Sequence, residues 1–143
     1  YITVSQNDAG LAGQDELDMR GEFSNILVLS AGGVGNVAVP LLKQVMSPQE
    51  KIPMSQRKND ISYCGSKEHA PANMRGKMVD TMSNSGLTST YYLGTEWEPV
   101  MHQSKASFCP RGFGRTAYHV AEIIQSELVP VYVYDDVPWV PYP

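Results

Sequence analysis

Two arginines and two glycines lie close together in one short segment of the chain. They follow the apolar run Ala106–Cys109 and overlap the start of a stretch with helical spacing, Arg115–Ser126. A loop between a buried strand and a helix start exposes unpaired N–H groups, and the helix dipole adds positive charge there. Arginine offers paired donors to phosphate oxygens, and glycine lets the backbone approach a ligand closely. The segment predicts an anion-binding loop formed by Arg111, Gly112, Gly114 and Arg115.

Acidic residues extend this candidate site. Glu122 lies about two turns along the predicted helix, where a carboxylate can accept hydrogen bonds from both hydroxyls of a ribose. The pair Asp135-Asp136 follows the next apolar run, residues 129–134. Taken singly, the arginines could be solvated surface charges, Glu122 an exposed helix residue, and the acidic pair a turn that ends a strand. The combination predicts a site for a nucleoside diphosphate.

Strand-like and helix-like segments alternate around these residues. Short runs rich in β-branched and aromatic residues predict strands, and longer periodic segments, one with methionines spaced by four, predict helices. Parallel strands need crossover connections, which are normally helical, so the pattern predicts an α/β fold with a Rossmann-like parallel sheet and flanking helices. The strands are expected at 61–64, 88–93, 106–109 and 129–134, and the helices at 70–85, 96–104 and 115–126. The loop at 110–116 then lies at the carboxyl edge of the sheet.

The first 58 residues have a different pattern. Ile2–Ser5 predicts a strand, and a long polar loop follows it. The continuous apolar run Asn25–Ala31 is typical of a strand buried on both faces of a parallel sheet. The polar segment 48–59, with two prolines, predicts a linker. The chain is therefore expected to divide into residues 1–58 and a ligand-binding unit at 59–143.

A glycine pattern after the second predicted strand resembles a dinucleotide-binding fingerprint. Gly33, Gly35 and Ala38 fit G-x-G-x-x-A. A helix should start there, but Pro40 would fall within its first turns, and no strand ending in an acidic residue follows about 20 residues later. A glycine-rich turn between a strand and a helix is the favoured interpretation, and an NAD-dependent oxidoreductase remains a less favoured alternative.

One block of the chain combines several short motifs in a specific order. They are Phe108-Cys109, Pro110-Arg111-Gly112, Glu122, Val129-Pro130-Val131, Asp135-Asp136 and Pro141-Tyr142. This order and spacing resembles the signature of the exostosin-type glycosyltransferases, family 47. The resemblance covers Trp97 to Tyr142 and extends in less detail back to Asp60. The chain departs from the family at His119, three residues before the glutamate, where many members carry an arginine.

The resemblance implies a GT-B fold, with residues 1–58 at the end of the acceptor-side domain and residues 59–143 in the donor-binding half, truncated at both ends. Arg111 would bind the diphosphate and Glu122 the ribose. At the His119 departure two alternatives stay open: Arg115 supplies the missing charge, or diphosphate binding is weaker than in the family. The implied activity is inverting transfer of a sugar from a nucleoside-diphosphate donor, expected to be a UDP-sugar, to a glycan or glycoprotein acceptor.

The family also implies a place in the Golgi lumen, with a membrane anchor outside this segment. No residue is assigned as the catalytic base, and no separate cofactor is expected. A non-catalytic nucleotide-sugar-binding domain is the main alternative to an active transferase.

Composition and residue spacing argue against several other kinds of partner and site. The chain has 11 Lys+Arg, 15 Asp+Glu, a net charge of −4 and no cationic run, which argues against a nucleic-acid partner. Cys64 and Cys109 are too few for a zinc site or a disulfide framework and are predicted to be free thiols. His69 and His102 lack metal-ligand spacing, so no metal is predicted. No apolar stretch is long enough to predict a membrane span.

Overall fold

The structure, a computed structural model, describes residues 1–8, 10, 24–33, 35–46 and 51–141. The strands in chain order are β1 (Ile2–Ser5), β2 (Leu27–Ser30), β3 (Val37–Ala38), β4 (Asn59–Cys64), β5 (Ser89–Tyr92), β6 (Ser104–Pro110) and β7 (Val129–Val133). The helices are α1 (Met74–Ser83), α2 (Trp97–His102) and α3 (His119–Gln125). Short 3-10 turns cover Met54–Gln56 and Pro71–Asn73.

Strands β4 to β7 form one parallel sheet in the order β5-β4-β6-β7. This confirms the predicted α/β fold with a Rossmann-like parallel sheet, and it confirms that the three strands around the candidate site share one sheet. The Pro110–Thr116 loop follows β6 at the carboxyl edge of the sheet, as expected.

Helices cover both faces of this sheet because its strands alternate two sets of apolar side chains. On one face, Ile61 and Tyr63 of β4 pack with Met78, Val79 and Met82 of α1. On the other face, a second cluster joins strands β4 and β6 to α2 and α3; its buried members are Cys64, Met101, Cys109, Ile123 and Leu128. The methionine spacing therefore marks a core face, as a buried helix requires.

The last helix begins later than the sequence predicts. The pattern placed it from Arg115, but α3 starts at His119. The intervening residues bond to the N-terminal part of the chain instead: the Arg115 N–H donates to Gly32 O (2.5 Å), and Thr116 Oγ1 donates to Ala31 O (2.7 Å). These backbone acceptors hold residues 115–116 outside the helix, so the Arg111–Arg115 loop is not a helix N-terminus, and that part of the anion-binding argument is wrong.

The N-terminal strands form a second parallel sheet, β1-β2-β3. The predicted parallel setting of β2 is confirmed, but its predicted burial on both faces is wrong. Val28 is 1% exposed, whereas Leu27, whose side chain points to the opposite face of the strand, is 40% exposed. Most of the predicted loop between β1 and β2 lies outside the described residues.

The glycine segment after β2 does not lead into a helix. Val37 and Ala38 form β3, which pairs in parallel with β2 at Leu29 and Ser30. The expected turn between a strand and a helix is therefore a turn between two strands. A dinucleotide-binding loop needs the N-terminus of a helix at this point, and residues 35–46 contain none.

The linker region contains the 3-10 turn Met54–Gln56 and is held by one buried arginine. Arg57 donates from Nε to Ile52 O (3.0 Å) and from Nη1 to Ser104 O (3.1 Å) and Glu127 O (3.0 Å). These bonds connect residues 51–58 to β6 and to the turn before β7. Residues 48–50 of the predicted linker lie outside the described residues.

Both cysteines are buried and free, which confirms the prediction for them. Burial raises the pKa of Cys64 to about 11, with a smaller contribution from the Glu122 charge. Burial likewise raises the pKa of Cys109 to about 12. Each sulfur therefore remains a neutral thiol at physiological pH.

We expect both thiols to resist alkylation in the native protein. At pH 8 a thiol with such a pKa is almost entirely protonated, so its reaction with iodoacetamide should be at least about a hundredfold slower than in denaturant, and slower for Cys109 than for Cys64. Mass spectrometry of a timed reaction measures this rate for each cysteine. Fast labelling of either residue in the folded protein would contradict the burial seen here.

Candidate functional site

The carboxyl edge of the four-stranded sheet has a topological switch point at β4. Its neighbours β5 and β6 lie on opposite sides, so the connections after β4 and β6 diverge, which is the topology that forms a crevice in open α/β sheets. Gly65–Lys67 follows β4, and Arg111–Gly112 follows β6. Ligands of open α/β sheets bind at this position. The predicted loop therefore borders the crevice in which a ligand is expected.

Arg75 of α1 bridges the two loops at the switch point. Its Nε donates to Arg111 O (3.1 Å), and its Nη1 donates to Ser66 O (3.2 Å). Both partners are neutral carbonyls, and no carboxylate of the described residues lies within 4.0 Å of this guanidinium. Arg75 is only partly buried. Among the described residues, Arg75 thus carries a positive charge without an acidic partner at the carboxyl edge of the sheet.

Arg111 is held in a different way. Its side chain is 9% exposed and lies between the loop after β6 and the turn after β7. Nη1 is 3.1 Å from Asp135 Oδ1 and 2.8 Å from Asp136 Oδ1, while Nη2 donates to Phe113 O (2.8 Å). The charge of Arg111 is therefore neutralised within the protein, and its donors are engaged.

Asp136 connects both predicted arginines. Arg115 Nε donates to Asp136 Oδ2 (3.0 Å), and the Arg115 guanidinium lies 5.8 Å from the ring centre of Trp139. Burial is the largest single influence on Asp136 and opposes ionisation. The hydrogen bond from Arg115, the backbone N–H of Val137 and the charge of Arg111 together outweigh it and lower the pKa of Asp136 to about 2.

The two glycines of the loop play different roles. A Cβ at Gly112 would find Arg75 Nη2 at 3.6 Å, an ordinary contact, so packing does not require glycine there. A Cβ at Gly114 would lie 2.8 Å from Asp8 Oδ1 and 2.9 Å from Gly32 O. Gly114 is therefore required by the close approach of the N-terminal sheet.

Glu122 forms a second cluster on α3. Its Oε1 is 2.6 Å from Lys43 Nζ, and its Oε2 is 2.9 Å from His119 Nδ1. Burial favours the neutral acid most strongly, but hydrogen bonds from His119 and Lys43 outweigh it and lower the pKa of Glu122. Glu122 is an ionised, oriented hydrogen-bond acceptor rather than an exposed helix residue.

His119 has one ring nitrogen that no described residue satisfies. Nδ1 faces Glu122, whereas Nε2 is buried and has no hydrogen-bond partner in the described part of the chain. The ring meets Tyr63 and Trp97 edge-on, with centroid separations of 6.3 Å. An unsatisfied buried ring nitrogen is costly, so this position is suited to a water molecule or a ligand hydroxyl.

The structure thus divides the predicted site residues into two groups. Arg111, Arg115, Asp135 and Asp136 form one ion-paired cluster at the ends of β6 and β7. Glu122 and His119 form another with Lys43. Gly112 lies beside Arg75 at the crevice, while Pro141 of the last motif belongs to a separate cavity, and Tyr142 lies outside the described residues.

Sequence reasoning missed Arg75 and Lys43. Arg75 follows the first residue of a methionine-rich helix, and the position of that helix after β4, beside the switch point, is the signal that could have identified it. Lys43 lies in a segment without regular structure, 79 residues from Glu122, and no sequence pattern connects the two.

Metal sites and membrane-spanning helices are both absent from the described part of the chain. The described residues contain no group of three or more His, Cys, Asp or Glu side chains that could hold a metal ion. They also contain no helix long and apolar enough to cross a membrane. Comparison with protein-family models, curated proteins and solved structures finds no match for this chain.

We expect the Asp136 ion pairs to make the free energy of unfolding depend on pH in the acid range. A carboxylate whose pKa is about 2 in the folded state, against about 4 when unfolded, stabilises the fold above pH 4 and loses that contribution as the pH falls towards 2. Asp136→Asn should therefore show a smaller loss of stability between pH 4 and pH 2 than the unsubstituted protein. Urea unfolding across this range measures it, with Asp80→Asn, an exposed residue of α1, as the control. Equal acid dependence in the Asp136→Asn and unsubstituted proteins would contradict the prediction.

Proposed function

We propose that this chain binds a nucleoside-diphosphate sugar at the carboxyl edge of its four-stranded sheet, as the donor-binding part of an exostosin-like inverting glycosyltransferase. The observation that carries the proposal is the charge of Arg75 at the switch point. Arg75 has no acidic partner in the described part of the chain, and it is bonded to the backbone of Arg111. Phosphate is the ligand group that such a site favours, since guanidinium groups bind phosphate oxygens in pairs.

The choice of a UDP-sugar rests on the resemblance of residues 97–142 to the exostosin family. Within that proposal Arg75 would contact the diphosphate directly. Arg111 would act mainly by holding the loop, because Asp135 and Asp136 already neutralise it. This changes the role that the resemblance implies for Arg111, and it makes Arg75 the more informative position to test.

Glu122 is the residue that we propose binds the ribose of the nucleotide. Its carboxylate is ionised and held by His119, which leaves the oxygen now paired with Lys43 as the acceptor for a ribose hydroxyl. Lys43 Nζ is partly exposed, so it can exchange this partner for water when a ligand arrives. The buried Nε2 of His119 provides a further polar contact nearby.

The proposed reaction is a single displacement. An acceptor hydroxyl oxygen attacks the anomeric carbon, the bond from that carbon to the diphosphate oxygen breaks, and a base takes the hydroxyl proton. Negative charge grows on the departing diphosphate, so an arginine in the crevice stabilises the transition state more than the bound substrate. The acceptor is proposed to be a glycan or glycoprotein in the Golgi lumen.

Within the proposal, the N-terminal sheet belongs to the acceptor side. The residues at the end of β2 accept hydrogen bonds from the loops that follow β6 and β7: Thr116 Oγ1 donates to Ala31 O (2.7 Å), and Trp139 Nε1 donates to Ser30 O (2.9 Å). These contacts between the carboxyl-end loops of two parallel sheets support the proposed GT-B arrangement.

We expect Arg75→Met to weaken UDP binding by the intact protein about ten- to a hundredfold. The substitution removes charge-assisted hydrogen bonds worth about 1.5–3 kcal/mol and keeps the aliphatic stem. Isothermal titration calorimetry measures the affinity, and Arg75→Lys should restore only part of it. Arg57→Met is the matched control, because Arg57 also bonds to carbonyls but lies at the opposite end of β6. Unchanged UDP affinity in folded Arg75→Met would refute the diphosphate site.

We also expect Glu122→Ala to weaken UDP binding about tenfold or more, because the ribose would lose a charged acceptor. Deoxyuridine diphosphates serve as the control, since a donor that lacks a ribose hydroxyl should lose less affinity from this substitution. UDP binding without any sugar transfer by the intact protein would favour the non-catalytic nucleotide-sugar-binding alternative.

A further inference from the structure

A cavity of about 490 Å³ lies on the other side of α3 from the proposed ribose contact. Val120, Ala121 and Ile124 of α3 form one wall, whereas His119 and Glu122 do not line it. Tyr132 of β7 contributes to its floor. The volume falls in the range of small-molecule sites, roughly 300–1,000 Å³. The cavity is therefore large enough for a ligand and separate from the donor crevice.

The wall is almost entirely apolar. No charged side chain lines the cavity, and its apolar lining includes Pro40, Leu41, Ala117, Val120, Ile124 and Pro130.

The polar groups of the lining are directed into the protein. Thr116 Oγ1 donates to Ala31 O (2.7 Å), Tyr132 Oη donates to Arg115 O (2.5 Å), and Trp139 Nε1 donates to Ser30 O (2.9 Å). Gln125 Oε1 accepts from the Met46 N–H (2.7 Å). The hydroxyl and indole hydrogens of the lining are therefore already bonded to backbone carbonyls.

These bonds decide the chemistry of the occupant. A sugar, a nucleotide or an extended peptide would bring many donors and acceptors into a wall that has few left to satisfy them, and each unsatisfied group is unfavourable. A hydrocarbon chain brings none, and each CH₂ that it buries is favourable. We propose that this cavity is a binding site for one hydrocarbon chain of an uncharged lipid or lipid-like molecule.

Part of the lining comes from irregular segments. Pro40 and Leu41, and Trp139 to Pro141, lie outside the helices and strands of the structure. Displacement of these segments would leave the four-stranded sheet and α3 intact, so we expect a chain to enter beside them. This proposal does not depend on the proposed transferase function, since neither Arg75 nor Glu122 lines the cavity.

The test is a titration of the intact protein with 1-dodecanol. The chain has two tryptophans, so the Trp97→Phe variant reports the cavity through Trp139 alone, and calorimetry on the unsubstituted protein gives a second measurement. We expect saturable binding that Ala121→Phe weakens at least tenfold by filling the cavity. Leu87→Phe, which adds a ring at an exposed position outside the cavity, should bind as the unsubstituted protein does. Ala117→Phe replaces Ala121→Phe if circular dichroism shows that variant to be unfolded.

Three outcomes would overturn the proposal. They are no saturable signal up to the solubility limit of dodecanol, equal binding by the Ala121→Phe and Leu87→Phe variants, and binding that disappears as the protein forms dimers in sedimentation, which would assign the cavity to a second copy. UDP affinity should not change in Ala121→Phe, so failure here and failure of the donor site are distinguishable.

Discussion

Burial of the Arg111 guanidinium is the constraint on which the candidate site depends. A buried cation must be neutralised and its donors satisfied, because an unpaired charge in a region of low polarity is strongly unfavourable. Asp135 and Asp136 provide the charge, and the carbonyls of Gly112 and Phe113 provide further acceptors. The loop after β6 is therefore fixed to the turn after β7, and Arg115 joins the same cluster through Asp136.

This constraint determines which cation is left for a ligand. Once the acidic pair is committed to Arg111 and Arg115, Arg75 carries a charge that no described carboxylate neutralises, and it lies between the loops that follow β4 and β6. Parallel strands bring these loops to one edge, and the divergence of connections at β4 opens the crevice between them. Electrostatics and topology thus favour the same location for an anion.

The short helix α3 separates three environments within seven residues. Ile123 enters the core beneath the sheet, Glu122 and His119 form a polar cluster with Lys43, and Val120, Ala121 and Ile124 face the apolar cavity. A helix can do this because residues three or four apart share a face while their neighbours point elsewhere. The polar and apolar sites are therefore close together yet chemically independent.

The sequence by itself determined the fold class and the order of most elements. Strands β4, β6 and β7 and the core face of α1 follow from local apolar periodicity, which depends on near neighbours along the chain. The start of α3 at His119, the exposed Leu27 and the strand at Val37–Ala38 were decided by tertiary contacts instead, above all the bonds from residues 115 and 116 to the N-terminal sheet. The contacts of the candidate site join residues that are 24 to 79 positions apart in the chain. They are Arg111 with Asp135 and Asp136, Glu122 with Lys43, and Arg75 with Arg111. No local pattern encodes such pairs, because hydrogen bonds and charges select partners by distance in the folded chain.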